Sequence, residues 1–71
     1  MQHQPLTAYD LLMVCPDDQV MRLQIAVRAV IAGDWAEAAH SLRNAAREGD
    51  SEWHDQCAVL AVEFEAKATR H

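Results

Sequence analysis

Seventy-one residues make one domain at most, and a chain this short buries only about 60% of the surface its unfolded form exposes, so a staple or a partner adds to its stability. With 51% hydrophobic and 24% charged residues, the composition is that of a globular chain and excludes a disordered one. The net charge of −5 works against a nucleic-acid surface, where phosphate neutralisation supplies the affinity, and favours partners that are neutral or basic where they touch.

Much of the apolar fraction is alanine, and Tyr9, Trp35, Trp53 and Phe64 are the only aromatic residues. So lean a core raises the expectation of self-association or partner binding. Cys15 and Cys57 are too few and too far apart for a disulfide scaffold. No basic region leads into an apolar run at the start of the chain, as a secretory leader would require. Arg or Gln interrupts each apolar stretch well short of the roughly 20 residues that span a membrane. These features predict a cytoplasmic protein with reduced thiols. Arginine in preference to lysine, with abundant alanine, is associated with bacterial and phage genomes of high GC content.

Met1 to Gln4 is polar and expected to fray. Thr7 is placed to N-cap a first helix over residues 8–14, with Asp10 in its first turn. Cys15-Pro16-Asp17-Asp18 ends it. Pro16 disfavours helical geometry at Cys15 and suits the first turn of a second helix, where the two acids complement the dipole. That helix is predicted over residues 17–32. At 100° per residue it carries two apolar faces: Val20, Leu23, Val27, Val30 and Ile31 on one, and Met21, Ile25 and Ala29 nearly opposite. A helix apolar on two sides is expected to be central, with one face as an alternative partner seam.

Gly33 is the natural left-handed residue to close the second helix. Asp34-Trp35-Ala36-Glu37 then reads as a capping box opening a third, over residues 35–48. Trp35, Ala38, Ala39, Leu42, Ala45 and Ala46 share its contact face, while Glu37, His40, Ser41, Asn44, Arg47 and Glu48 take the other. Gly49 is expected to close it, and Asp50 or Ser51 to start a fourth helix over residues 52–68. Trp53, Cys57, Leu60, Ala61, Phe64 and Ala68 form a core stripe there. A second stripe of Val59, Val62 and Ala66 looks elsewhere, which predicts a dimer or partner contact, with packing against the first helix as the alternative.

Residues with chemistry to offer are few. His54 and Cys57, three apart on the fourth helix, are spaced to present two ligands to one ion. The further ligands zinc needs would have to come from Cys15, His40 or His3, none at a motif spacing, so no metal or cofactor is expected. A Cys–His dyad shows no sequence adjacency, and so short a chain is expected to enclose little of a pocket for it; Gly33 and Gly49 do not make a phosphate loop, and no enzymatic activity is expected. Two helices meeting at a glycine also outline a DNA-reading helix-turn-helix, with His40, Arg43 and Arg47 along its recognition helix. Asp34, Glu37 and the net charge stand against it.

From Met21 to Asp50 the hairpin resembles a single tetratricopeptide-type repeat. Gly33-Asp34-Trp35-Ala36-Glu37-Ala38 is similar to the turn opening that repeat's second helix, and Leu42 and Ala45 fall at its later apolar and small positions. Arg22, Ile25, Ala26 and Ala29 depart from the pattern of its first helix, and Asp50 stands where a proline is usual. The resemblance implies a helical hairpin for protein–protein recognition. A lone repeat cannot bury its own faces, so the first and fourth helices or a second subunit must cover them. In size and shape the chain is similar to short secretion co-chaperones and to phage inhibitors of host proteins.

The sequence thus predicts an all-α, three- to four-helix antiparallel bundle around a central hairpin, spanning residues 1–71 as one domain. Its expected function is non-enzymatic protein binding, with homodimerisation, through Val59, Val62 and Ala66 or the competing patch of Met21 and Ile25. DNA binding through His40, Arg43 and Arg47 is the alternative.

Overall fold

A computed structural model describes residues 7–69; the fraying expected of Met1 to Gln4, and His3 as a ligand, lie outside them. Among the described residues the fold is all-α. The helices are α1 (Ala8–Met13), α2 (Val20–Ala32), α3 (Trp35–Ala46) and α4 (Glu52–Ala68).

The second predicted helix divides in two. Asp17–Gln19 is a 3-10 turn behind an extended Pro16, and the α-helix begins only at Val20. Gln19, at φ −112°, keeps a buried side-chain amide that donates to Asp18 Oδ2 (3.2 Å) and accepts from Arg22 Nη1 (3.0 Å). Arg22 continues to Glu48 at 3.6 Å, tying the start of α2 to the end of α3.

Local chemistry accounts for the helix ends. Thr7 and Asp10 form a reciprocal capping box: Asp10 N–H donates to Thr7 Oγ1 (3.1 Å) and Thr7 N–H donates to Asp10 Oδ2 (3.0 Å). At Asp34 only half of the expected box exists, the Glu37 N–H bond to Asp34 Oδ1 at 3.2 Å. The other half is pre-empted. Gly33 is left-handed (φ 76°), and the Asp34 N–H donates back to Ala29 O at 2.8 Å in a Schellman closure of α2. It therefore has no proton left for Glu37.

The third helix stops at Ala46, two residues before the predicted end, and Gly49 does not close it in a left-handed conformation, since Gly33 alone has positive φ among the described residues. Gly49 answers to space instead: a Cβ there would lie 2.5 Å from the His54 ring. His54 Nδ1 shares a 2.8 Å hydrogen bond with Ser51, the α4 N-cap.

Chain neighbours pack side by side, α2 on α3 and α3 on α4, and α1 closes the ring between α2 and α4. The most extensive packing belongs to α3, not to α2 as predicted. The core arc of α2 is Leu23, Ala26 and Ala29, lying between the two predicted apolar faces. Ala26 was outweighed by larger side chains in the periodicity, yet it meets an α3 lined with Ala38, Ala39 and Ala45, all buried. Small residues on both helices let the two backbones approach. Ala29, expected opposite the main face, is therefore buried, and Ile31, expected on it, is 80% exposed. Ser41, assigned to the outer face of α3, is buried for the same reason: α3 has a neighbour on each side.

Most of the expected core stripe of α4 is observed, with Cys57, Leu60, Ala61 and Phe64 buried and Trp53 packed against them; Ala68, expected to extend it, is only half-buried and lines the hollow between α3 and α4. Trp53 Nε1 donates to Leu11 O at 2.9 Å, satisfying one of the carbonyls that the last turn of α1 leaves without an intrahelical partner. This bond seats α1.

Candidate protein-binding groove

The fourth wall of the bundle is short. Six residues of α1 cover roughly 9 Å beside helices of 13 and 17 residues. Trp53 and Leu11 anchor α1 toward the N-terminal end of α4, which leaves the trough between the C-terminal halves of α2 and α4 uncovered. A groove of about 430 Å³ opens there.

Val27, Val30 and Ile31 of α2 form one wall, Leu60, Glu63, Phe64 and Lys67 of α4 the other, and Thr7, Ala8 and Tyr9 close one end. Trp35 lies at the base, its ring 5.4 Å from that of Phe64 and tilted by 37°. Lys67 Nζ stands 4.6 Å from the centre of the Trp35 ring and 5.7 Å from Phe64, a cation–π arrangement at the mouth of an apolar hollow. Thr7, Glu63 and Lys67, with the Tyr9 hydroxyl and the Trp35 indole N–H, supply the polar groups of an otherwise apolar lining.

The predicted contact residues stand around this groove rather than in it. Val59 (63% exposed), Val62 (57%) and Ala66 lie on the open side of α4. At 100° per residue they follow Glu63 around the helix, so their stripe borders the α4 wall. Packing against α1, the alternative reading, does not occur at these exposed positions. Met21 and Ile25 are also exposed; Ile25 lies on the flank of α2 opposite Val27, and Met21, near the other end of the helix, lies between that flank and Ile31.

Arg43 is held by Glu65 in a two-pronged ion pair, Nε to Oε2 at 2.7 Å and Nη2 to Oε1 at 2.6 Å. That hydrogen bonding raises the pKa of Arg43 and lowers that of Glu65. His40 shares a 3.3 Å bond with Asn44, and Arg47 is exposed. His40, Arg43 and Glu65 line a shallower hollow of about 310 Å³ between α3 and α4.

His54 is turned to Ser51, while Cys57 is fully buried in the core. Burial, and secondarily Cys15, push the Cys57 thiol up to about 12. The Cys15 thiol is raised too, by burial and then by Asp17 and Asp18, and its Sγ donates to Pro16 O at 3.1 Å. Among the described residues, no three His, Cys, Asp or Glu side chains converge on one point.

Sequence reasoning missed Tyr9, Ile31, Trp35 and Lys67 as surface residues of one site. Two signals pointed there: a first helix half the length of its neighbours, and a large apolar residue, Ile31, two places before the helix-closing Gly33. Comparison with protein-family models, with curated proteins and with solved structures finds no match.

Proposed function

We propose that the chain is a non-enzymatic protein–protein interaction module, acting as an adaptor, co-chaperone or inhibitor, and that its contact surface is the groove between α1, α2 and α4. The carrying observation is an apolar hollow of about 430 Å³ with Ile31 and Tyr9 exposed at its lip (80% and 58%). Large apolar side chains gathered around a concavity are costly to leave in water and mark contact sites. Two walls made of helices suit an apolar helix laid between them. The DNA-reading alternative draws less support, because Arg43, at the middle of its proposed stripe, is occupied by Glu65 and would have to leave that pair to meet phosphate.

The test compares proteins captured from the native host by the wild type and by Ile31→Asp. Ile31 is exposed, so the variant is expected to stay folded, within about 0.5 kcal/mol of wild type. A protein retained by the wild type and lost by the variant is the expected result. Identical captured sets would remove the groove as the contact surface.

A further inference from the structure

We propose that α1 is a displaceable end wall: it undocks as a unit while α2, α3 and α4 stay packed, and so switches the groove between a closed and an open form. The inference rests on the protein-binding reading of the groove and concerns its regulation.

The order of helices around the ring decides which of them can leave. α1 packs on α2 and α4, and α3 lies across from it. The two most extensive interfaces, α2 on α3 and α3 on α4, are formed without α1. An ion pair supports each, Arg22–Glu48 the first and Arg43–Glu65 the second. Departure of α1 therefore leaves α3 with both its neighbours.

α1 itself is lightly held. It places Ala8 and Leu11 in the core, with Leu12 partly buried beside them. Both bonds of its capping box, between Thr7 and Asp10, stay within the helix. Among the described residues, the bond from Trp53 Nε1 to Leu11 O is the only one that joins α1 to another helix. Pro16 is extended and has no N–H to donate, so the helical hydrogen bonding of α1 does not run on into α2. Six residues do not hold a helix in water without packing. Undocking and unfolding of α1 are thus one event.

That event changes the site. Thr7, Ala8 and Tyr9 close the groove only while α1 is docked. Once it leaves, the hollow joins the seat that Leu11 occupied, and the trough between α2 and α4 opens toward Trp53. An occupant that touches the end wall holds α1 in place, by as much as it prefers the closed form. One too long for the closed groove has to displace α1 first.

Native-state hydrogen exchange in urea, below the unfolding transition, tests the proposal. The amides of Leu11, Leu12 and Met13 are expected to share one opening. Their protection should lie about a hundredfold below that of Leu42 and Ala45 in α3, with a shallower urea dependence because less surface is exposed. Leu11→Asp puts a charge into the seat of α1 and is expected to abolish protection in that helix, while Leu42 and Ala45 stay protected. Equal protection and equal urea dependence in α1 and α3 of the wild type would overturn the proposal, as would loss of the whole fold in Leu11→Asp. Exchange needs no partner, so either result leaves the protein-binding reading standing. Identical sets captured by the wild type and Ile31→Asp would end that reading and leave the undocking of α1 in place.

Discussion

Cys57 joins a buried cluster that includes Leu60, Ala61 and Phe64, and it has no exposed surface. Ionising it there would place a thiolate away from water, which is why its pKa stands at about 12 against an ordinary 9.0. The sign of the linkage follows. Below pH 9 the thiol is neutral in both folded and unfolded chains and the packing of Cys57 contributes in full. Between pH 9.0 and about 12 the unfolded chain releases its proton and the folded chain does not, so stability falls as pH rises through this window. The same burial governs reactivity, because the thiolate is the nucleophile. At pH 8 iodoacetamide is expected to leave Cys57 unmodified in the native protein and to alkylate it once denaturant is added. Peptide mass spectrometry reads the result; equal labelling of Cys57 with and without denaturant would contradict the buried assignment.

At the scale of elements, the two glycines show how one residue type serves two physical needs. Gly33 is required by its backbone, because φ 76° is costly for a side chain with Cβ. Gly49 is required by its neighbour, since the ring of His54 occupies the space a Cβ would take. His54 is fixed by its bond to Ser51 at 2.8 Å and by edge-on contact with Trp53 at 5.0 Å between ring centres. Gly49→Ala should push that ring aside and cost about 1 kcal/mol, the worth of a typical hydrogen bond. In a His54→Ala background the same substitution should cost almost nothing, and a double-mutant cycle by urea unfolding measures the difference. Equal costs in both backgrounds would mean that Gly49 serves the backbone after all. The Gly33–Asp34 closure was legible because both partners are close in sequence. The role of Gly49 was not, since it depends on where a ring five residues later turns.

The whole molecule depends on contacts more distant still. Four helices and the core stripe of α4 could be read from periodicity, because burying one face of a helix imposes its own spacing on the chain. The packing centre could not: small alanines on α2 and α3 mark it, and they weigh little in a pattern built from large side chains. The groove was the least legible feature. It exists because α1 is short and because it sits where Trp53 Nε1 meets Leu11 O, across 42 residues. Trp53→Phe keeps an aromatic ring in place and removes only that donor. The carbonyl left behind belongs to the last turn of α1, so the expected loss is about 1 kcal/mol, felt first where α1 docks rather than throughout the bundle. Native-state hydrogen exchange should show the amides of Leu11 and Leu12 losing protection by roughly fivefold, the factor equivalent to that free energy. The amides of α3 and α4, which hold the most extensive packing, should change less. Because Thr7, Ala8 and Tyr9 close one end of the groove, the same variant should also bind less tightly whatever occupies it. A uniform loss of protection across all four helices would instead make the Trp53 bond a support of the whole bundle, and the groove would no longer be a site whose end wall can be loosened independently of its base.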